Sequence, residues 1–197
     1  MGAAIEAVQR IGLKLFAADG TTVQMREFVP IFHRWIQTQA VANHLLIDVA
    51  DYAHVPDGPG VMLVAHEGNF SLDLGGGRLG LAFNRKLPVG GGIIERWRSI
   101  TRTALEACQR LEDEPVLKGR LRFRGDEIEL FANDRLQAPN DAATRSALEP
   151  LIGELVRSLY GEVPCTTRWE PDARERFSLR LQAAQPLSAR ELLARLR

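Results

Sequence analysis

The sequence predicts an α+β protein made of two pseudo-symmetric, ferredoxin-like halves, in which helices pack on one face of antiparallel sheets. Three observations support this prediction: strands and helices alternate along the chain, apolar residues recur at helical spacing, and one sequence pattern occurs twice. The chain has 197 residues, and 45% of them are apolar. That is enough core material for one large domain or for two small ones.

The first half begins with a strand over 11–17, followed by a helix over about 25–39. Pro30 falls in the first turn of that helix, where a missing amide hydrogen costs little. Two strands follow, over 45–55 and 60–74. The prolines and glycines between these strands indicate a tight turn.

The later elements are predicted from the same signals. In chain order we expect a strand over 79–85, a helix over about 93–112, a hairpin within 118–134, a helix over about 141–160, a hairpin within 165–182 and a final helix. Gly125 and Asp126 form the predicted turn of the first of these hairpins. Ser188 and Glu191 are spaced as a capping box, which predicts where the last helix begins.

Three pairs of segments match in the same order along the two halves. The pairs are LFAAD (15–19) with LFAND (130–134), FVPIFHRWI (28–36) with LEPLIGELV (148–156), and HVPDGPGVMLVAHE (54–67) with WEPDARERFSLRLQ (169–182). We therefore expect two copies of a β-α-β-β unit, at about 11–73 and 126–183, each followed by a helix. The halves, residues 1–115 and 116–197, form two domains or one compact unit.

Two segments, HVPDGPGVMLVAHEG (54–68) and FVPIFHRWIQ (28–37), resemble a family of uncharacterised bacterial proteins. The resemblance implies a bacterial source. It implies no reaction, ligand or cofactor, so no functional residue is carried over from the family to this chain.

Two histidines at the ends of a predicted hairpin, His54 and His66, are the candidate catalytic residues. Strand alternation places Asp48 and Tyr52 on the same face as His54. A histidine oriented by a carboxylate transfers protons near neutral pH. The alternative is that both histidines fill space in the core.

The internal repeat predicts that both histidines point inward. Their counterparts in the second copy are Trp169 for His54 and Leu181 for His66, and both counterparts are bulky and apolar. The expected register of the hairpin separates the two rings by about 13 Å, which is too far for one metal ion or a direct proton relay.

A second candidate site lies before the long helix, where three glycines precede the predicted helix start. Free amides and the helix dipole favour an anion at such a position, although a flexible lead-in to the helix is the alternative. The candidate ligand-binding residues are Arg85, Lys86, Gly90, Gly91 and Gly92, together with Glu67 and Asn69 near the end of the predicted hairpin.

Composition and charge argue against several classes of partner. The 25 basic and 25 acidic residues give a net charge of zero, so we expect no nucleic acid and no anionic membrane as partner. The sequence has no apolar run long enough to span a bilayer and no signal-peptide pattern, which predicts a cytoplasmic protein. The spacings of the four histidines and two cysteines match no metal motif, so we expect no metal site and no cofactor.

Three functional classes stay open. The favoured one is a non-catalytic module that binds a small ligand or a protein at an apolar cleft between the halves. The alternatives are an enzyme that uses His54 or His66 for proton transfer, and a phosphate or nucleotide binder at the Gly90–Gly92 helix start. The sequence does not name the small molecule or protein partner, and it leaves a homo-oligomer open.

Overall fold

The computed structural model describes residues 2–55 and 58–196, which form one antiparallel sheet with helices packed against it. The helices are α1 (Gly2–Ala7), α2 (Phe28–Thr38), α3 (Ile93–Asp113), α4 (Ala142–Tyr160) and α5 (Ala189–Arg195). The strands are β1 (Ile11–Ala17), β2 (Leu46–Tyr52), β3 (Gly60–Ala65), β4 (Gly68–Asp73), β5 (Gly80–Arg85), β6 (Phe123–Ala132), β7 (Cys165–Trp169) and β8 (Ser178–Ala183). The α+β class is therefore confirmed.

The eight strands lie in the order β2-β3-β4-β5-β1-β6-β8-β7, and every neighbouring pair is antiparallel. The central strand β1 pairs with β5 on one side and with β6 on the other. Because β5 belongs to the first predicted half and β6 to the second, the sheet is continuous across both halves. It is also larger than the sheet of a ferredoxin-like unit.

One face of the sheet carries the apolar side chains and is covered by helices. Alternation along β1 directs Ile11, Leu13 and Leu15 to this face, and all three are fully buried. Helix α3 packs on β1 and β5, α2 packs on β2 and β3, and α5 packs on β6. The opposite face carries no helix among the described residues, and we call it the open face.

The predicted strand over 60–74 is two strands, β3 and β4, with a turn at His66 and Glu67. The amide of His66 donates to the carbonyl of Leu45 at 2.9 Å. A Cβ atom at Gly68 would approach the carbonyl oxygen of Asn84 within 2.6 Å, so a glycine is needed where β4 begins against β5. The sequence predicted one strand here because apolar residues occur on both sides of the turn, in β3 and in β4.

The predicted hairpin at Gly125 and Asp126 is wrong, because both residues lie inside the single strand β6. The amide of Gly125 donates to the carbonyl of Leu187 at 2.6 Å, and a Cβ atom there would lie 2.7 Å from the carbonyl carbon of Ser188. The absence of a side chain at Gly125 therefore lets the segment before α5 pack against β6, and the residue does not form a turn. The predicted capping box of that helix is confirmed, since Ser188 accepts from the amide of Glu191 at 3.2 Å.

Both predicted copies have the element order β-α-β-β, as β1-α2-β2-β3 and as β6-α4-β7-β8. Their strand neighbours differ. Strand β8 pairs directly with β6, whereas β4 and β5 separate β3 from β1. Pro56 and Asp57, at the centre of the predicted first turn, lie outside the described residues.

Candidate functional site

A row of mostly polar side chains crosses the middle of the open face. Its members pair in sequence across neighbouring strands: Ser71 with Ala82, Ala82 with Lys14, Lys14 with Glu129, and Glu129 with Arg180. Lys14 is nevertheless only 5% exposed and Ser71 only 2%. The row therefore lies in a recess and crosses the boundary between the two predicted halves.

The recess is a cavity of about 540 Å³, which we call the sheet-face cavity. The segment after β4 and the segment between β7 and β8 form its sides. A second hollow of about 400 Å³ adjoins it at Glu129 and Arg180. The charged and polar residues that line the sheet-face cavity are Lys14, Ser71, Asp73, Asn84, Glu129, Glu170, Glu175, Arg176, Ser178 and Arg180.

The buried cation of the cavity, Lys14, is neutralised within the protein. Its Nζ lies 2.5 Å from Oδ1 of Asp73 and donates to the carbonyl of Gly75 at 3.1 Å. The same Asp73 oxygen accepts from the amide of Gly75 at 2.9 Å. A buried charge needs such partners, and here they also hold the segment after β4 against the sheet.

Carboxylates of β6 anchor three arginines at one end of the row. Arg78 binds both carboxylate oxygens of Glu127, at 2.5 and 2.8 Å, and this pair lowers the pKa of Glu127. Arg124 lies 3.1 Å from the same carboxylate. Arg180 binds Glu129 at 3.1 Å. Both carboxylates are therefore already paired with arginines within the protein.

Aromatic rings on the open face are covered by guanidinium groups. The guanidinium of Arg78 lies 4.1 Å from the ring centre of Phe16, and that of Arg176 lies 3.7 Å from the ring centre of Phe131. Arg176 also donates to Oδ1 of Asn133 at 3.3 Å, and burial lowers its pKa. Arg176 thus forms part of the cavity wall without a carboxylate partner in the described part of the chain.

Two oxygen atoms on β4 have no hydrogen-bond partner within residues 2–55 and 58–196. They are Oγ of Ser71 and Oδ1 of Asn69, and both are buried. The residues are two positions apart on one strand, so both face the open side of the sheet. A buried hydroxyl without a partner costs about 1–3 kcal/mol, and of the two residues only Ser71 lines the sheet-face cavity.

The predicted catalytic residues do not form a site with this cavity. The register pairs Asp48 with Val64 and Tyr52 with Gly60, so the β2–β3 pair is displaced from the expected register. His66 lies beside Leu45, whereas His54 follows the far end of β2. Both histidines are exposed, as are Asp48 and Tyr52, so the prediction that the histidines point inward is wrong. The repeat misplaced them because the pairing of the two copies differs.

The predicted anion site at the start of α3 is capped by the chain itself. The amide of Gly92 donates to Glu95 at 2.9 Å, and the amide of Ile93 donates to Glu6 at 3.1 Å. Gly90 and Gly91 are exposed and precede this capped turn. An incoming anion would have to displace two carboxylates from this helix start.

The other predicted binding residues are separated from that helix start. Lys86 is exposed, and its amide donates to the carbonyl of Glu67 at 2.9 Å. The carboxylate of Glu67 accepts from the amide of Leu45 at 2.8 Å. The pKa of Glu67 is lowered although burial opposes this, because this bond and the neighbouring histidines favour the charged form. Arg85 faces a different cavity, beside α3.

Sequence reasoning missed most of the sheet-face cavity. The cleft at the junction of the halves is polar, whereas an apolar cleft was predicted. A signal was present at Lys14, which interrupts the apolar strand IGLKLFA on the face opposite to Leu13 and Leu15. Its partner Asp73 lies 59 residues further along the chain, and no local pattern connects the two residues.

Comparisons with known proteins found no matching family model and no matching curated protein. The family resemblance inferred from the sequence therefore stays a prediction. Among the described residues, no group of three or more His, Cys, Asp or Glu side chains is arranged to hold a metal ion. No helix in that part of the chain is long and apolar enough to cross a bilayer.

Proposed function

We propose that the protein is a non-catalytic module that binds a small zwitterionic molecule, of amino-acid or short-peptide size, in the sheet-face cavity. The observation that carries this proposal is Ser71, whose hydroxyl lies buried at the cavity wall without a partner in the described residues. A ligand that forms a hydrogen bond with this hydroxyl removes the free-energy cost of leaving it buried without a partner. The volume of about 540 Å³ suits a molecule of this size.

The charges that remain after internal pairing indicate a ligand that carries both signs. Lys14 and Arg180 are neutralised by the ion pairs described above. Arg176 is left without a carboxylate partner in the described chain, and it offers a fork of N–H donors to a ligand carboxylate. Glu170 and Glu175 on the same side of the cavity offer acceptors to a ligand ammonium group.

The position of the cavity agrees with a duplicated origin, which we propose for the chain. Lys14 and Glu129 are equivalent when LFAAD is aligned with LFAND, and these two residues pair directly across β1 and β6. On this proposal the β4–β5 hairpin was added between β3 and β1 of the first copy. The cavity then lies where the two copies meet, with Ser71 contributed by the added hairpin.

The test is titration of the full chain with the twenty amino acids and with glycylglycine, followed by calorimetry and thermal unfolding. At ten times its Kd, a ligand stabilises the folded state by about 1.4 kcal/mol, which raises Tm by roughly 3–6 °C. We expect at least one of these probes to bind. We expect Arg176→Gln and Ser71→Ala each to weaken that binding, Arg176→Gln by tenfold or more.

Two matched variants serve as controls. Arg174→Gln changes an arginine of the same segment that is paired with Asp172 and does not line the cavity. Thr101→Val removes another buried hydroxyl without a partner, on α3. Both should leave affinity unchanged. The proposal fails if none of the zwitterionic probes binds, or if binding survives in Arg176→Gln and Ser71→Ala.

A further inference from the structure

We propose a second binding site, for a phosphate-bearing small molecule, in a cavity of about 650 Å³ beside α3. This α3 cavity lies between the segment after α2, the end of β5 and one side of the helix. Three arginines and a histidine face it: Arg85, Arg98, Arg102 and His44. It shares no lining residue with the sheet-face cavity, so this inference is independent of the function proposed above.

Two of the arginines leave positive charge uncompensated. Arg98 has no ion-pair partner within the described residues, and its Nε is buried without a hydrogen bond. Arg85 uses its Nε to bind the carbonyl of Leu87 at 2.9 Å, and burial lowers its pKa. Most other partly buried arginines of this protein have a carboxylate or several carbonyl partners, as Arg78 and Arg96 do. An anion between Arg85 and Arg98 would supply the missing partner.

His44 adds a fixed imidazole to the same wall. Its Nδ1 lies 2.9 Å from the carbonyl of Ala42, so the Nδ1–H tautomer donates there and Nε2 is left as an acceptor, which suits the hydroxyl of a protonated phosphate. Nε2 is buried and has no hydrogen bond in the described chain. The ring packs edge-on against Phe70 and Phe83, with ring centres 5.5 Å away in each case. The imidazole is therefore held in one orientation beside the two unpaired guanidinium groups.

The donors of the lining suit the oxygen atoms of a phosphate group. Guanidinium forks and hydroxyl groups are the donors that proteins use for phosphate oxygens, and Ser99 and Thr103 supply two hydroxyls one helical turn apart. Glu95 and Glu106 also line the cavity, and these acids oppose an extended polyanion such as nucleic acid. Because the cavity is larger than one phosphate group, the geometry points to a small organic phosphate or a pyrophosphate.

The probes are inorganic pyrophosphate and ribose 5-phosphate, with citrate at equal ionic strength as the carboxylate comparison. We expect both phosphates to bind the full chain in calorimetry and to raise Tm by roughly 3–6 °C at ten times Kd, and citrate to bind at least tenfold more weakly. Arg98→Gln and Arg85→Gln should each reduce phosphate affinity tenfold or more. Arg157→Gln, on the exposed side of α4, is the matched control and should change nothing.

Unfolding curves of the unliganded variants show whether each substituted protein is folded. Arg85 lies at the end of β5 and Arg98 lies on α3, so the two substitutions disturb different elements. If one variant unfolds, the other still tests the site. The inference is overturned if neither phosphate binds, if citrate binds equally well, or if both folded variants bind as the wild type does. Failure of the amino-acid titration leaves this inference unaffected, because the two cavities are lined by different residues.

Discussion

Gly12 is a position at which the open face is sensitive to one added methyl group. It lies on β1 opposite Phe131 of β6 and opposite Asn84 of β5. A Cβ atom there would lie 2.5 Å from Cζ of Phe131 and 2.7 Å from the carbonyl oxygen of Phe83, whereas ordinary contacts begin near 3.4 Å. The ring of Phe131 would have to move by about 1 Å, and Arg176 is stacked on that ring.

We expect Gly12→Ala to destabilise the folded protein by about 2 kcal/mol. Overpacking costs about 1–3 kcal/mol, and loss of the stacked guanidinium costs about 0.5–1 kcal/mol more. The gain from replacing a glycine in the unfolded chain, about 0.4–1 kcal/mol, offsets part of this. For a chain of this length the net loss lowers Tm by roughly 4–8 °C.

Urea unfolding and calorimetry of Gly12→Ala measure this loss, and Gly90→Ala is the matched control. No heavy atom lies within 4 Å of a Cβ built at Gly90, so its replacement should change stability by less than about 0.5 kcal/mol. Adding Phe131→Leu to Gly12→Ala should recover part of the stability, because the smaller side chain vacates the space. A Gly12→Ala protein as stable as the wild type would refute the steric reasoning.

Two further predictions concern the helix-covered side of the sheet. Burial raises the pKa of Glu112 above its ordinary value of 4.5, so the folded state holds this proton more tightly than the unfolded chain and loses stability as the pH rises through that range. Glu112→Gln, which keeps an acceptor for the amide of Phe123, should therefore gain stability relative to the wild type as the pH rises above about 4.5, measured by urea unfolding. A constant difference would contradict this. Ser188→Ala removes the N-cap of α5 and should cost about 1 kcal/mol, whereas Ser188→Asn should retain most of the stability in the same measurement.

Sequence reasoning predicted the elements whose apolar residues follow one clear period. The strand 11–17 and the long helix from Ile93 are examples, and both begin where they were expected. It failed where a local signal has two explanations. Gly125 looks like a turn residue, yet its absent side chain is required by the approach of Ser188, which is distant in sequence. Gly68 begins a new strand for the same kind of reason.

The candidate site was harder to predict than the fold. His54 and His66 attracted attention because histidines carry chemistry, but their burial depended on a strand register that the repeat did not fix. Lys14 lies on the face of β1 opposite to its apolar residues, where lysines are commonly exposed. Its ion pair with Asp73 lies in a recess that Arg176 also lines, from a separate segment stacked on Phe131. Only the strand order brings these three residues together.

The side chains around the sheet-face cavity differ in how much freedom they would lose when the proposed ligand binds. Lys14 and Ser71 stand on central strands, and their side chains are fixed by the sheet or by an ion pair, so they lose little freedom when a ligand binds. Arg176 belongs to the segment between β7 and β8, and its stacking on Phe131 restrains it before binding. A ligand bound as proposed would meet a sheet wall with Lys14 and Ser71, and a second wall from the β7–β8 segment with Arg176 and its neighbouring glutamates. Substitutions that loosen Arg176, such as those that remove its stacking on Phe131, should therefore weaken binding more than substitutions within the sheet. The reason is that the position of this guanidinium depends on a connecting segment.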